Sequence, residues 1–213
     1  MLINNIPFKQ NDSRNKMIFN LKKFLSLCLI SCSYLALSGC ASGTQQLIIA
    51  PQTTVKFANI YSQINTKLNT SDMRASTHIV QILRNDKAAE LTNSATPMSI
   101  IVEKSLTDLF SQQGLAITNT DSTSKVDITV FIDAALISVQ QSLMKYQANN
   151  AIVLRLQIKN SDKILTKTFN IHGKSNGPFN ADLAVLERDF NQQLSDLLQQ
   201  IVGDTEIQSF IAQ

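Results

Sequence analysis

The chain has 213 residues, of which 44% are hydrophobic and 16% are charged, and this composition suits one domain plus a targeting segment. Its net charge of +3 is misleading, because five basic residues and one acidic residue precede Cys40. Residues 40–213 carry 14 basic and 15 acidic residues, a net charge of about −1, so the charge does not support nucleic-acid binding.

A basic segment followed by an apolar one predicts a secretory signal near the N-terminus. Lys22 and Lys23 lead into the uncharged run FLSLCLISCSYLAL. That run is shorter than the roughly 20 residues that a membrane-spanning helix needs, whereas it suits a signal peptide. Residues 1–16 fit no part of such a signal, so Met1 and Met17 are alternative start residues.

The apolar run ends in a lipobox, the pattern that precedes the lipidated cysteine of bacterial lipoproteins. Leu37, Ser38 and Gly39 stand before Cys40, and the two small residues give the signal peptidase access to the bond. We expect cleavage after residue 39 and acyl chains on Cys40, enough for stable anchoring. Ala41 stands where inner-membrane lipoproteins usually carry Asp, which favours the outer membrane. The alternative is an ordinary cleaved signal with a cysteine at its end.

These observations predict three segments. Residues 1–39 are an N-terminal extension with a cleaved signal, residues 40–47 are the lipidated cysteine with a short tether, and residues 48–213 are a periplasmic domain. A tether of about eight residues reaches at most about 25–30 Å, which keeps the domain near its own membrane leaflet.

The first half of the domain shows alternating and polar stretches in turn. Residues 54–61 alternate as a strand does, and the polar residues 62–74 predict a loop. Val80 and Ile82 then mark a second strand, followed by another predicted loop at residues 85–95.

A helix is predicted next, with Thr96 as its N-cap, Pro97 at its first position and Gly114 just after its end. Its apolar stripe consists of Met98, Ile101, Val102, Leu106, Leu109 and Phe110. The residues LAIT after Gly114 predict a short strand. Alternation around residues 126–133 and 150–159, with a tight turn to KILTKTFNIHG, predicts three antiparallel strands.

The C-terminal part predicts two helices. Asn180 is the expected N-cap of the longer one and Gly203 its expected end, while Ile207, Phe210 and Ile211 mark a short closing helix. The predicted fold is therefore α+β, with a single antiparallel β-sheet of about four to six strands covered on one face by two α-helices, plus a short C-terminal helix.

Motifs that carry chemistry are present only as fragments. Residues 173–177 match G-x-S-x-G, but both histidines, His78 and His172, precede them, so we interpret the string as a glycine-rich turn. Residues 142–145 match S-x-x-K without its companion motifs. The sequence predicts no metal site and no cofactor, and it contains no phosphate loop or RNA-binding aromatic strip.

Short motifs in the C-terminal half occur in an order that points to a known family. They are TKTFNIHGKSNGPFNADLA at residues 166–184, the hairpin before it, and the ending DTEIQSFIAQ at residues 204–213. In this order they resemble the YajG-type family of bacterial lipoproteins. The resemblance covers most of residues 37–213 and is weakest over residues 50–95. It implies an outer-membrane lipoprotein of a family without an established biochemical role, and it supplies no catalytic residues.

We expect a non-enzymatic binding or scaffold module that is anchored to the outer membrane, with an envelope protein or peptidoglycan as its partner. The candidate contact residues are Tyr146, Gly173, Gly177 and Phe179. The alternative is a carrier of a small amphiphile or cell-wall fragment, which requires an apolar pocket of several hundred Å³ between sheet and helices. A hydrolase is a third hypothesis, and it requires a histidine beside an acid in a cleft.

Overall fold

The structure is a computed structural model that describes residues 45–54, 59–85, 87–118 and 124–213. Residues 44–213 form one compact unit. The predicted leader, the lipobox and Cys40 lie outside the described residues.

The described part of the chain folds into seven strands and three helices. The strands are β1 (Ile64–Asp72), β2 (Val80–Arg84), β3 (Glu90–Thr92), β4 (Leu115–Ile117), β5 (Val126–Gln141), β6 (Lys145–Asn160) and β7 (Lys163–Pro178). The helices are α1 (Met98–Gln112), α2 (Leu183–Gly203) and α3 (Thr205–Ile211).

The sheet is organised around β5. β6 pairs antiparallel with the whole length of β5, and β7 pairs antiparallel with β6, which completes a long meander. Because β6 occupies one edge of β5, the two strands that run parallel to β5 share the other edge. β1 pairs with its first half and β2 with its second half, while β4 lies parallel to β1 and β3 lies antiparallel to β2.

A β-bulge keeps one face of β5 apolar along its length. The β5–β6 register shifts between Ile132 and Ala134. The bulge changes which residues point inward, since an extra residue reverses the alternation. Even-numbered residues are buried before it and odd-numbered residues after it: Val126, Ile128, Val130 and Ile132, then Ala135, Ile137 and Val139.

The core lies between this face and the helices. α1 packs against β1 and β4, α2 packs against β6 and β7, and the two helices contact each other. The stripe predicted for α1 is buried as expected, and α2 buries Leu186, Phe190, Leu194, Leu197, Leu198 and Ile201. Each fully buried side chain of this size contributes about 1.5–3 kcal/mol relative to exposure.

Arg74 fills the break between β1 and β2. Its guanidinium donates to both carboxylate oxygens of Asp72, at 2.9 and 2.7 Å, and to the carbonyl oxygen of Ala135 at 3.0 Å. These hydrogen bonds hold the pKa of Asp72 below its ordinary value, against the opposing effect of burial. Asp72 and Arg74 thus join β1 to β5 where no strand continues the ladder.

The prediction of a purely antiparallel sheet of about four to six strands is wrong, because the sheet is mixed and contains seven strands among the described residues. β1 lies inside the predicted loop at 62–74, and Asn59 to Tyr61 form no strand. β1 has few apolar residues and therefore shows no alternating apolar pattern. Its backbone hydrogen bonds to β4 and β5 determine its strand structure. Residues 55–58 lie outside the described residues.

Two predicted helix caps are wrong. Pro97 is itself the N-cap residue of α1, with no side-chain capping bond, and Asp182 rather than Asn180 caps α2 by accepting the Ala184 N–H at 2.9 Å. Gly203 is the last residue of α2, as predicted, and Asp204 is its C-cap. The prediction for the end of α1 is confirmed, since Gly114 follows the C-cap with φ of 98°.

Candidate functional site

Two ends of the long meander differ in chemistry. We call the end formed by the β5–β6 turn (142–144), the end of β7 and the connection 179–182 the turn end. The opposite end, formed by the start of β7, the end of α1 and the α2–α3 connection, is the junction end.

The β5–β6 turn is held by Ser142. Its N–H and its hydroxyl both donate to the Lys145 carbonyl oxygen, at 2.9 Å each, and its Oγ accepts the Lys145 N–H at 3.3 Å. The residues that match S-x-x-K are therefore a hairpin turn, with the Ser142 hydroxyl engaged in backbone hydrogen bonds.

Gln141 ties the β7–α2 connection to this turn. Its side chain is 8% exposed, its Nε2 donates to Asn180 Oδ1 at 2.6 Å, and its Oε1 accepts the Ala181 N–H at 3.3 Å. The Phe179 N–H donates to the Met144 carbonyl oxygen at 2.9 Å. Gln141 was not among the predicted site residues, because a polar residue at the end of a strand carries no signal for long-range pairing.

Two adjoining grooves open at the turn end. One of about 520 Å³ is polar and is lined by Asn85, Gln140, Gln141, Ser142, Lys145, Tyr146, Gln147, Asn176 and Gly177. The second, of about 880 Å³, shares Asn85, Gln141 and Ser142 and adds the large apolar side chains of Leu143, Met144 and Phe179. A polar groove thus borders an exposed apolar patch.

The structure brings three of the four predicted contact residues, Tyr146, Gly177 and Phe179, to the turn end. The ring of Tyr146 lies over Gly177, where a Cβ would be 2.7 Å from Tyr146 Cε1. Gly173 lies instead beneath α2, where a Cβ would be 2.1 Å from Gln193 Nε2. The prediction of a glycine-rich turn at 173–177 is wrong, since these residues continue β7 and pair with β6.

A buried polar layer extends inward from the groove along β6 and β7. Asn150 pairs with Gly173, and Ser175 lies between Gly173 and Gly177 on the same face. Asn150 Oδ1, Ser175 Oγ and Gln193 Oε1 are buried without a hydrogen-bond partner among the described residues. Unpaired buried polar atoms are costly in a packed core, so this layer is a polar feature that the sequence pattern did not reveal.

The histidines do not assemble a catalytic group. His78 Nδ1 lies 2.5 Å from Ser76 Oγ in an exposed loop, and His172 is exposed on the outward face of β7. On that same face of the sheet, Asp133 accepts two hydrogen bonds from Arg155, at 2.9 and 3.0 Å. Within the described residues, no group of three or more His, Cys, Asp or Glu side chains is arranged to hold a metal ion.

The junction end contains a half-buried ion pair. Lys167 Nζ lies 2.7 Å from Asp204 Oδ2 and 2.8 Å from Glu206 Oε2, and Asp204 Oδ1 also accepts the N–H groups of Glu206 and Ile207. Burial raises the pKa of Asp204, but the bonds from Lys167 and from the backbone lower it further, so the net shift is downward. The hydrogen bond to Asp204 raises the pKa of Lys167.

Lys167 and Asp204 belong to the two motifs, TKTF and DTEI, that carried the sequence resemblance. Their contact shows that these motifs have a structural role, since Asp204 caps α3 and joins it to β7. The start of the 166–184 motif and the DTEI ending therefore meet at the junction end, whereas the later residues of the same motif, Gly177 and Phe179, line the grooves at the turn end.

Comparison with known proteins identifies the family. A family model described as uncharacterized lipoprotein, Lipoprotein_16, matches residues 51–212, and the YajG-type resemblance is confirmed by this match. A search of curated proteins finds no significant match. Among the described residues, no helix is long and apolar enough to cross a membrane.

Solved structures of other bacterial proteins are similar to this chain. Protein XCC0632 from Xanthomonas campestris is 15% identical, covers 78% of this chain and 97% of its own, and has a TM-score of 0.58. A Helicobacter pylori protein described as a neuraminyllactose-binding hemagglutinin homolog is 10% identical, covers 79% and 97%, and has a TM-score of 0.46, which is too low to support an argument. At this identity, the first likeness shows the fold alone.

Proposed function

The chain belongs to this family of uncharacterized lipoproteins, and we propose that lipid on Cys40 anchors it to the outer membrane with its domain in the periplasm. The lipobox Leu37-Ser38-Gly39 before Cys40 supports the attachment site, and Ala41 after it supports the destination. Several acyl chains on one residue give effectively stable membrane attachment.

The anchor is tested by fractionating cells that express Cys40→Ser. We expect the variant to leave the outer-membrane fraction, because the thiol that accepts the lipid is gone. Cys28→Ser, which changes a cysteine of the leader, is the matched control and should fractionate like wild type. Unchanged membrane association of Cys40→Ser would contradict the anchor.

We further propose that the domain is a non-enzymatic module that binds an envelope component, a protein or peptidoglycan, in the polar groove at the turn end. The observation that carries this proposal is the composition of the groove. Its amide and hydroxyl groups offer directional hydrogen bonds, and the ring of Tyr146 offers a rigid apolar surface. Such a mixture suits a polar ligand that is recognised by shape and hydrogen bonding.

The test uses the immobilised mature protein with detergent-solubilised envelope and, separately, with purified peptidoglycan. We expect Tyr146→Ala to reduce the retained ligand by about tenfold or more, as truncation of a central aromatic contact does. Asn149→Ala, on the exposed outward face of the neighbouring part of β6, should retain ligand like wild type. If wild type retains nothing, or if Tyr146→Ala retains as much as wild type, the groove is not the binding site.

The alternative function, a carrier of a small amphiphile, receives less support. The expected pocket lay between sheet and helices, but that space holds fully buried side chains such as Phe190, Leu194 and Ile152. The two described grooves open at the turn end instead. If organic extraction of the purified protein yielded a lipid that is not covalently attached, that result would support the carrier hypothesis.

A further inference from the structure

We propose that the turn end is a membrane-contact surface, in which Leu143, Met144 and Phe179 insert into the phospholipid leaflet that holds the anchor. This proposal rests on the proposed anchoring at Cys40 and specifies how the domain is oriented on it. The polar groove would then open beside the bilayer, so that its partner must be accessible at the membrane surface.

The first observation is a concentration of exposed apolar side chains. Leu143 is 94% exposed, Met144 is 74% exposed and Phe179 is 66% exposed. The hydrogen bond from the Phe179 N–H to the Met144 carbonyl oxygen places the two segments side by side. Single exposed apolar residues are ordinary, but a contiguous cluster of large ones marks an interaction surface.

The second observation is that the patch is held rigidly outward. Phe179 has φ of 60°, a left-handed conformation that is unfavourable for an aromatic residue. The Gln141 side chain holds the two following residues, and Ser142 closes the turn that carries Leu143. Strain that the surrounding contacts maintain is characteristic of functional positions, and here it projects a phenyl ring into solvent.

The third observation is the direction in which residues 48–50, which follow the tether, run along α2. The N–H of Ala50 donates to Asn191 Oδ1 at 2.9 Å, and the N–H of Ile48 donates to Glu187 Oε2 at 2.7 Å. Going backward from Ala50 to Ile48 therefore moves about one turn, roughly 6 Å, toward the start of α2. The start of α2 follows directly from the connection at the turn end.

The strand pairing gives the same direction independently. Leu47 forms a parallel bridge with Ser94, just after β3. β3 is antiparallel to β2, and β2 is parallel to β5, so β3 runs away from the turn end. Residues 45–47 run the same way, and the chain followed backward from Leu47 to Gln45 therefore approaches the turn end.

The remaining tether is short. Cys40 precedes Gln45 by five residues, which span at most about 18 Å when fully extended. An anchored Cys40 therefore keeps the patch close to the leaflet at high effective concentration, which favours lipid over a soluble partner as the occupant. Lys87 and Lys145 line the grooves beside the patch, where long basic side chains can reach lipid phosphates while their stems stay apolar.

The natural absence of tryptophan provides a clean experiment. Leu143→Trp places a single fluorophore in the patch, and Ile164→Trp places one at a residue that is 61% exposed near the junction end. Both lipidated proteins are reconstituted into phospholipid vesicles with brominated acyl chains. We expect a blue shift and strong quenching for Leu143→Trp, and neither for Ile164→Trp. Equal responses of the two variants would overturn the proposal.

Two further outcomes separate the patch from the anchor. If the mature chain is recovered without lipid, the anchoring proposal fails. The Leu143→Trp and Ile164→Trp variants can then be titrated with excess vesicles, which still tests whether the patch inserts into lipid. In that titration, we expect only Leu143→Trp to show a blue shift. If the Trp emission of Leu143→Trp instead shifts to the blue as the protein concentration rises in the absence of vesicles, the patch contacts a second copy of the chain. That outcome would overturn the membrane proposal. Phe179→Trp repeats the measurement from the other segment of the patch.

Discussion

The junction end and the turn end of the same meander are built in opposite ways. At the junction end, Lys167 pairs with both Asp204 and Glu206, and Asn160 Nδ2 donates to the Phe210 carbonyl oxygen at 2.9 Å. At the turn end, Leu143, Met144 and Phe179 form a cluster of exposed apolar side chains, and two grooves open beside them. The junction end is thus held by ion pairs and side-chain hydrogen bonds, whereas the turn end presents a cluster of exposed apolar side chains.

This difference teaches that the family motifs serve two different purposes in this fold, since they supply the ion pair at the junction end and part of the groove lining at the turn end. The DTEI ending is explained by the capping of α3, whereas the grooves combine the later part of the 166–184 motif with residues near the β5–β6 turn and after β2 that belong to no motif. Substitutions at the junction end should therefore affect stability, and substitutions at the turn end should affect binding with little change in stability.

The largest expected effect is at Gly114, where α1 ends near the junction end. Gly114→Ala forces a side chain into a positive φ and places its Cβ 2.3 Å from the Tyr61 carbonyl oxygen. We expect a loss on the order of 3 kcal/mol in the free energy of unfolding, measured by urea denaturation. Gly203→Ala is the control, because within the described chain no heavy atom outside its own helical turn and immediate neighbours lies within 4 Å of its Cβ position, and it should be neutral or slightly stabilising. Similar losses in both variants would contradict the steric explanation.

Asp204→Ala should have the next largest effect. It removes the N-cap of α3 together with the partner of Lys167, and we expect a loss of about 2 kcal/mol in the free energy of unfolding. Glu206→Ala, which removes a more exposed contact with the same lysine, should cost less than about 1 kcal/mol. The idea of a structural junction would be wrong if the two variants were equally stable.

A smaller, pH-dependent effect should distinguish charge from capping at the same residue. The folded-state pKa of Asp204 is lowered, so its ionised form stabilises the fold above the unfolded-state pKa of about 3.9, and this contribution is lost as the pH falls toward the lower folded-state value. Asp204→Asn keeps a good capping residue without the charge. Its deficit in unfolding free energy relative to wild type should shrink as the pH is lowered through this range. A deficit that is constant with pH would exclude the charge contribution.

The smallest effect on stability is expected at the turn end. Leu143→Ser removes an almost fully exposed side chain, so the free energy of unfolding should change by less than about 0.5 kcal/mol. Differential scanning calorimetry of the variant and wild type measures this directly. A substantial loss would mean that Leu143 supports the fold and would erase the contrast between the two ends.

The sequence pattern was sufficient to predict the helices and strands in which apolar residues recur with a regular period. The stripe of α1, the leucine-rich face of α2 and the alternation in β5, β6 and β7 were all predictable, since each element buries one regular face. β1 was not predictable, because its position in the sheet depends on parallel pairing with strands that are distant in sequence. The extension of β5 beyond the bulge was missed for a related reason, since one inserted residue reverses the alternation that identifies a strand.

The candidate site was only partly predictable for the same physical reason. Tyr146, Gly177 and Phe179 stood out as an aromatic residue, a glycine and an aromatic residue near turns, and the fold brings them together. Gln141 and the exposed pair Leu143 and Met144 carried no such signal, because their importance arises from the chain segments that pack beside them.

The sequence by itself determined the family, the two-helix and meander elements, and the expectation of a lipid anchor, because these depend on contiguous residues and their spacing. Only the tertiary structure decided that Lys167 and Asp204 form an ion pair at one end of the domain and that the grooves of about 520 and 880 Å³ open at the other end. It also decided that the chain followed backward from Ala50 to Ile48 moves toward the turn end, because that direction follows from hydrogen bonds between residues about 140 positions apart.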